Sequence, residues 1–446
     1  MIDVLKNSWA LLLGVFLLLL GNGLQGSLLG VRGPDAGFSP LAMSVIMSGY
    51  FAGFLVASRT VPTLIRRVGH VRVFAFLGSL TSAVLLVFPA VTDPIVWTAS
   101  RIVLGFCFCG VYVTAESWLN NAATNETRGQ TLSAYMIVQT VGIITAQGLL
   151  VVPDPTGFLL FVIPSMLVSL SFAPILLSIQ PTPAFETSKP MTLAQVYRAS
   201  PLGCVGIFLL GGVFAAQYGM AAVYGKAIGL SLPQISAFIA SFYVGALVLQ
   251  YPFGWLSDRT DRRALILGIA IMGATAAIVG VMYGQVYDVL LLVAFLIGGA
   301  ANPLYSLLIA YTNDFLEVED MASASAGLYF INGVGAVAGP LVIGWSMQSI
   351  GPEGFFLLIA TLLCALSGYA AWRMTRRAAP DETVAYTALS PALSAYTLET
   401  AQEYAYETAL ESAAEGAEHS AGTEASGAEP SSVDTVRDWP RSAGQV

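Results

Sequence analysis

The sequence predicts an all-α membrane protein whose twelve transmembrane helices form two six-helix repeats. Of the 446 residues, 56% are hydrophobic and only 10% are charged, whereas soluble domains carry roughly 25% charged residues. Long apolar runs recur along most of the chain, and short segments at equivalent positions in its two halves match. These observations exclude an ordinary soluble protein.

Twelve apolar runs are each long enough to cross a bilayer, which requires roughly 20 helical residues. They lie at about 8–30, 40–61, 72–91, 95–119, 128–151, 157–179, 201–225, 232–256, 264–284, 287–311, 323–347 and 353–373. The longest internal connection separates the first six runs from the last six. The sequence therefore predicts an N-terminal six-helix bundle at 1–180, a cytoplasmic linker at 181–200, a C-terminal six-helix bundle at 201–378, and an acidic, disordered cytoplasmic tail at 379–446.

The distribution of Lys and Arg predicts that both termini are cytoplasmic. If the first helix starts inside, fourteen basic side chains flank the helices on the cytoplasmic side, and only Arg32 and Lys226 lie on the other side. Cytoplasmic loops carry such an excess of basic residues. The net charge of −8 comes from the acidic tail, so it gives no information about a ligand.

The two halves resemble diverged copies of one another. Ser48-Gly-Tyr50 matches Ser241-Phe-Tyr243, and Gln25 matches Gln217 at nearly the same offset. Repeats of this kind build a binding site at their interface in transporters. We therefore expect Gln25 and Gln217 to face each other near the outer mouth of a central cavity, where they bond a solute or bond each other.

The loop after the eighth run carries a motif that identifies a family. Gly254-Trp-Leu-Ser-Asp258-Arg259-Thr-Asp261-Arg262-Arg263 resembles the Gly-x-x-x-Asp-Arg-x-x-Arg-Arg loop of the major facilitator superfamily. The equivalent first loop is degenerate, with Pro62 in place of the first Gly and Arg66 in place of the Asp. Together with Glu116-Ser-Trp-Leu-Asn120, this is similar to the YcaD-type branch of the superfamily.

The resemblance implies a secondary active transporter that works by alternating access. In that family the loop motif latches one state by pairing charges between helix ends, and Arg101-x-x-x-Gly105 looks like a helix-4 motif of proton-coupled drug exporters. The resemblance thus implies coupling or gating roles for Arg101, Glu116, Arg66, Arg67, Asp258, Arg259, Arg262 and Arg263.

Two charged side chains, Arg101 and Glu116, lie well inside a predicted helix. They are some 22 Å apart at 1.5 Å per residue, so they cannot pair with each other. Glu116 either couples transport to protons or latches Arg66 or Arg67. Arg101 either binds solute or couples transport, or it extends to the outer headgroups.

Uncharged polar side chains near the middle of the helices are the candidates for the cavity wall. They are Asn22, Gln25, Tyr50, Tyr112, Gln139, Gln217, Tyr243, Asn302, Tyr305 and Asn332. Each either lines the cavity or forms a hydrogen bond between helices, which is worth about 0.6 kcal/mol. Because no central pair of basic residues is present, we expect a small organic solute that is uncharged or amphipathic.

Nothing in the sequence predicts an enzyme. The two histidines fall in a predicted loop (His70) and in the tail (His419), and the four cysteines lie in apolar runs, so we expect no catalytic site, cofactor or metal. The expected partners are a small-molecule solute, the lipid bilayer of a bacterial inner membrane and protons as the coupling ion, with no nucleic acid and a monomeric chain. An uptake symporter, a uniporter and a non-transporting membrane sensor remain alternatives to proton-coupled efflux.

Overall fold

The structure is a computed structural model, and it describes residues 2–122, 128–152, 157–176 and 191–376 together with Tyr386 and Leu389. Across these residues the secondary structure is α-helical, with one π-helical turn at Ala216–Met220. The helices are α1 (Ile2–Asp35), α2 (Pro40–Val68), α3 (His70–Leu85), α4 (Val87–Ala90), α5 (Pro94–Ala122), α6 (Arg128–Leu149), α7 (Leu159–Leu176), α8 (Leu193–Ala199), α9 (Pro201–Ala215), α10 (Ala221–Ala227), α11 (Leu232–Ser257), α12 (Arg262–Tyr283), α13 (Tyr287–Asn313), α14 (Val318–Ile350) and α15 (Gly354–Met374).

The prediction of an all-helical chain is confirmed for the described residues, in which each of the twelve apolar runs overlaps one or more helices. Ten of the described helices are long and apolar enough to cross a membrane, and Leu159–Ala173 is a shorter apolar helix. The seventh run is interrupted by the π-helical turn, which joins α9 to α10. The predicted linker includes the short helix α8, and its residues 181–190 lie outside the described part.

Glycines allow pairs of helices to approach at backbone distance. A Cβ atom at Gly53 would overlap the carbonyl oxygen of Ile102, so α2 and α5 cross here without intervening side chains. At the equivalent position of the second half, a Cβ atom at Gly245 or Gly298 would overlap the backbone of α13 or α11. Small residues at such crossings are typical of helix packing in membranes.

Among the described residues, the most extensive contacts between the two halves join α2 to α14, α1 to α10, and α6 to α11, and the π-helical turn also contacts α1 and α2. Near one end of the α2–α14 contact, Ser48 donates a hydrogen bond to the Val337 carbonyl oxygen (2.7 Å), and toward the other end Arg59 covers the Phe330 ring (3.7 Å). The two helices therefore run in opposite directions. We call the two ends of the bundle the Asp35 end and the Asp258 end. The sequence predicts that the Asp258 end is cytoplasmic.

Candidate functional site

A cavity of about 770 Å³ lies between the two halves, within the size range of small-molecule sites. At the Asp35 end, Lys226 Nζ pairs with Asp35 Oδ1 (2.7 Å), and Ser236 Oγ donates a hydrogen bond to the Gln147 carbonyl oxygen. Toward the opposite end the cavity extends to Asp258. Eleven aromatic side chains line it, and they are Tyr50, Phe51, Phe54, Tyr112, Phe214, Tyr218, Tyr243, Tyr251, Trp255, Tyr329 and Tyr386.

Arg101 lines the cavity and is 2% exposed. Its Nη1 donates a hydrogen bond to Gln25 Oε1 (3.0 Å), its Nη2 donates to Met47 Sδ (3.4 Å), and its guanidinium carbon lies 4.6 Å from the centre of the Tyr50 ring. The side chain therefore does not extend toward headgroups. It is instead held against α1 and α2 by an amide, a thioether and an aromatic face.

Asn22 extends this network toward the middle of the cavity. Its Nδ2 donates to the hydroxyl oxygens of Tyr50 (3.1 Å) and Tyr112 (2.7 Å), and its Oδ1 accepts from Gln25 Nε2 (3.1 Å). The structure thus brings together four predicted cavity residues and Arg101. Gln25 bonds Arg101 and Asn22 in this arrangement, so of the two alternatives for Gln25 and Gln217, the one in which they bond each other is not seen here.

The opposite wall carries polar atoms that form no hydrogen bond within the described structure. Gln217 is 2% exposed, and neither its Nε2 nor its Oε1 has a partner. The π-helical turn holds this side chain at the wall, and the next residue, Tyr218, stacks on Tyr243 with ring centres 5.3 Å apart. The Tyr329 hydroxyl on the same wall also lacks a partner, as does Gln139 Nε2 on α6 of the first half. Unpaired buried polar groups are costly, which makes this wall a candidate surface for a polar solute.

Three other predicted cavity residues form packing contacts. Asn332 and Asn302 both line the cavity, but Asn332 donates to the Ile207 carbonyl oxygen on α9 (3.2 Å) and Asn302 donates within α13 to the Gly298 carbonyl oxygen (3.3 Å). Tyr305 is fully buried against the Phe214 ring and is not part of the cavity wall. In this conformation Tyr305 therefore packs edge-on against Phe214, which does line the cavity.

Glu116 lies in α5, outside the cavity wall, and is 1% exposed. It accepts a hydrogen bond from the Tyr135 hydroxyl of α6 (2.5 Å). Arg66 is exposed and donates to Thr63 of its own helix (3.5 Å), and Arg67 is also exposed. Among the described residues, neither arginine contacts Glu116, so the suggested latch is absent from this conformation.

The expectation that His70 lies in a loop is wrong. His70 is the first residue of α3 and is buried, with Nε2 3.0 Å from Ser117 Oγ and its ring stacked on Trp118. The reason is the positive φ of Gly69, which is 86° and turns the chain directly from α2 into α3. His70 therefore packs against the residues that follow Glu116 in α5.

The second loop motif forms a buried ion pair. Arg262 Nη1 lies 2.6 Å from Asp314 Oδ1 at the end of α13, and Arg262 Nε donates to Ser257 Oγ (3.2 Å). Arg263 pairs with Asp261, and these hydrogen bonds lower the pKa of the Asp261 carboxyl below its usual value. Arg259 covers the Trp255 ring and lines the mouth of the cavity.

Two residues of the predicted tail, Tyr386 and Leu389, contact the Asp258 end. Gln250 Nε2 donates to the Tyr386 hydroxyl (2.7 Å), and the Tyr386 backbone N–H donates to Asp258 Oδ1 (3.0 Å). The Leu389 backbone N–H donates to Ser306 Oγ (2.9 Å), and Leu389 is 2% exposed. Both residues line the cavity, whereas the other residues from 377 onward lie outside the described part.

Sequence reasoning missed several residues of this site. Asp314 is a charged residue at the end of a predicted helix, and the loop motif itself predicts an acidic partner for Arg262. Tyr218 follows Gln217 and aligns with no aromatic residue of the first half, so it carried no signal. Tyr135, Gln250 and Ser306 are polar residues inside apolar runs, and only their contacts distinguish them from other such residues.

Two family models match the chain. The model described as Major Facilitator Superfamily matches residues 202–400, and the model described as Sugar (and other) transporter matches residues 16–186. The chain is also similar to proteins named Uncharacterized MFS-type transporter YcaD. It is 26% identical to the one from Salmonella arizonae over 357 residues, which cover 79% of this chain and 92% of the relative. It is 26% identical to the one from Salmonella typhimurium over 360 residues, with the same coverage.

Solved structures share the fold. The nucleoside transporter NupG superposes with a TM-score of 0.68 at 14% identity, covering 82% of this chain and 99% of NupG. A bacterial homolog of the human lysosomal transporter Spinster, in an inward-facing and unoccupied conformation, superposes with a TM-score of 0.61 at 13% identity, covering 90% of this chain and 98% of that protein. Over most of its length the chain is therefore similar to transporters of the major facilitator superfamily, and among them to YcaD-type members.

Proposed function

We propose that the protein is a secondary active transporter that moves a small organic solute by alternating access and couples its efflux to protons. The observation that carries this proposal is the cavity between the two halves, whose wall includes many aromatic rings and also holds buried amide atoms without partners in the described structure. A solute can satisfy those amides while its body packs on the rings. An uncharged or amphipathic organic molecule fits such a wall.

The state of the cavity supports an alternating mechanism. Contacts between the halves close the Asp35 end, and the cavity extends toward the Asp258 end. With the Asp258 end in the cytoplasm, as the Lys and Arg distribution predicts, this arrangement is inward-facing. Rocking one half against the other around a fixed site is the expected transport step.

Coupling to protons is assigned to Glu116. It is a buried carboxyl group in α5, the helix that also carries Arg101, and it accepts a hydrogen bond from the Tyr135 hydroxyl. A carboxyl group in such a place can hold a proton in one state and release it in the other. The matching family model is named for sugars and other solutes, and NupG is named as a nucleoside transporter. Sugars and nucleosides are also small organic molecules.

The test uses proteoliposomes loaded with a pH-sensitive dye and a panel of amphipathic aromatic solutes, each added under an imposed pH gradient. We expect at least one solute to drive proton movement that is absent from liposomes without protein. Glu116→Gln should abolish this proton movement, because the amide cannot be protonated, while exchange of labelled solute across the membrane continues. Glu353→Gln, in a loop outside the cavity, is the matched control and should behave as wild type.

Each other result selects a different function. Solute movement without proton movement would make the protein a uniporter, and solute entry together with protons would make it an uptake symporter. Proton-coupled movement that persists in Glu116→Gln would remove Glu116 as the coupling site. Absence of movement for the whole panel would favour the non-transporting sensor.

A further inference from the structure

The positive charge of Arg101 has no carboxylate partner among the described residues. The ion pairs there join Lys226 to Asp35, Arg262 to Asp314 and Arg263 to Asp261. Arg101 contacts instead an amide, a thioether and an aromatic face. A buried arginine is normally paired with an acid, so this one retains the capacity to pair with an anion.

One edge of the guanidinium group is unsatisfied. Nη1 donates to Gln25, but Nε has no hydrogen bond, and Nη2 contacts only the Met47 sulfur at 3.4 Å. A thioether is a weak acceptor on a flexible side chain. The Nε–Nη2 edge is the fork that binds the two oxygens of a carboxylate or sulfonate through parallel hydrogen bonds.

The surroundings of this edge suit the rest of an amphipathic molecule. Met47 also adjoins the π-helical turn, since a Cβ atom at Gly219 would lie 3.5 Å from the Met47 Cβ. Gln217, with both amide atoms unpartnered, belongs to the same turn. The Tyr218 and Tyr243 rings stack close by on the cavity wall. A solute whose anionic group binds Arg101 can therefore bond Gln217 through a second polar atom and pack its apolar part against the two tyrosine rings.

We propose that Arg101 is the anion subsite of the cavity and that the solute is an amphipathic organic monoanion with a carboxylate or sulfonate group. A single guanidinium charge neutralises a single negative charge, which favours monoanions over dianions. This inference rests on the proposed transport function and narrows its solute class. Displacement of Met47 opens the Nε–Nη2 edge, while Gln25 keeps the guanidinium group oriented through Nη1.

The test compares two molecules of the same shape, 2-naphthalenesulfonate and its neutral analogue 2-naphthalenesulfonamide. Binding to the purified full-length chain in nanodiscs is measured by tryptophan fluorescence and by thermal shift. We expect the sulfonate to bind more tightly by about tenfold or more, because a charge-assisted pair is stronger than a neutral hydrogen bond. Arg101→Gln should remove this preference, and Arg101→Lys should keep part of it, since lysine supplies the charge without the fork.

Arg198→Gln is the matched control, because Arg198 is an exposed arginine on α8, and its preference should equal that of wild type. Equal affinity for both molecules, no binding of the sulfonate, or a preference that survives Arg101→Gln would each overturn the proposal. The readout is equilibrium binding, so it is separate from transport. A chain that binds the sulfonate through Arg101 but moves no solute would contradict the proposed function and leave the anion subsite standing.

A different observation carries a second inference, about the Asp258 end. Tyr386 and Leu389 bridge α11 and α13, since Tyr386 bonds Gln250 and Asp258 while Leu389 bonds Ser306 in both directions. The Tyr386 ring packs on Gly254, where a Cβ atom would lie 2.6 Å from it. Burial raises the pKa of the Tyr386 phenol above its ordinary value, so the hydroxyl stays protonated.

We infer that Tyr386 and Leu389 act as an autoinhibitory plug that narrows the mouth of the cavity at the Asp258 end. Gly254 leaves room for the ring, and Asp258 is occupied by the Tyr386 backbone N–H instead of by a basic side chain. Release of these contacts would widen the entrance and free the Asp258 carboxylate to pair within the loop motif.

The test measures access to the cavity with one accessible cysteine, since Cys107, Cys109 and Cys204 are buried. Ser133, an exposed residue of the cavity wall, is replaced by Cys in the full chain, and the exposed Cys364 by Ser. The rate of labelling by a bulky maleimide should rise about threefold or more in Leu389→Asp and in Tyr386→Ala, as the open population grows. Tyr197→Ala, at an exposed tyrosine on α8, is the control. Unchanged labelling in both tail variants would refute the plug.

Discussion

Arg262 and Asp314 form the most buried ion pair of the described structure, with side chains 2% and 0% exposed. Both oxygens of Asp314 lie within hydrogen-bond distance of Arg262 Nη1. A pair of this kind adds little net stability, but removing one partner leaves a charge buried without compensation. The pair therefore fixes the end of α13 against the start of α12 as long as both charges are present.

Asp314→Asn tests this interaction. We expect the free energy of unfolding to fall by about 3–5 kcal/mol, because Arg262 keeps its buried charge and loses its carboxylate. Thermal unfolding of the purified protein in detergent measures the change. Asp261→Asn is the control, since Asp261 pairs with Arg263 at a partly exposed site, where an ion pair is worth about 1 kcal/mol or less. Equal losses in the two variants would contradict the assignment.

The residue types of the site could be predicted from the sequence, but their pairing could not. Charge inside an apolar run singled out Arg101 and Glu116, and polar residues at mid-helix singled out Asn22 and Gln25. Which side chain bonds which depends on helix rotation and rotamer, as with Gln25, which bonds Arg101 and leaves Gln217 unpartnered. Hydropathy does not encode either quantity.

At the scale of helices, two crossings at backbone distance position the cavity wall, and one of them joins α11 to α13. Gly245 and Gly298 face each other's helix backbone, and α2 and α5 meet in the same way through Gly53 and Gly105. Each crossing therefore joins two helices that both contribute residues to the cavity wall. Rigid pairs of this kind can move as units when one half rocks against the other.

Gly298→Ala should disturb the crossing of α11 and α13. The added methyl group would overlap the Phe242 carbonyl oxygen, and relief requires the two backbones to separate, at a cost of about 1–3 kcal/mol. Gly268→Ala, on α12, is the matched control, because a Cβ atom there meets nothing within 4 Å. Thermal unfolding of both variants in detergent measures the difference. A loss of stability as large in Gly268→Ala would show that the close approach is not the cause.

Helices were the most predictable elements, because an apolar run of bilayer length has few alternatives to a helix. The π-helical turn at Ala216–Met220 was not predictable, since it inserts a residue into a run that reads as a continuous apolar helix. His70 was misplaced for a related reason. The basic stretch from Arg66 to Arg72 is typical of a connecting loop. In the structure, however, Arg66 and Arg67 belong to the last turn of α2, and Gly69 alone makes the turn into α3.

For the whole molecule, the repeat and the charge distribution predicted two similar halves and an orientation, but not the conformation. The Asp35 end is closed by few contacts between the halves, among them the half-exposed pair of Lys226 and Asp35. The same sequence must also be compatible with the opposite arrangement if it alternates. A sequence therefore specifies the helices and the set of states, while the balance between states depends on small contact energies.

The lone charge of Arg101 also has an electrical consequence. A unit charge that crosses the whole membrane potential changes energy by about 2.3 kcal/mol per 100 mV. When one half rocks against the other, the Arg101 charge moves through part of the membrane's electric field. The membrane potential therefore changes the energy of this movement in the empty protein. A bound monoanion would cancel that charge and make the loaded protein nearly insensitive to voltage. The membrane potential would then bias the return of the empty carrier and leave the loaded step almost unaffected.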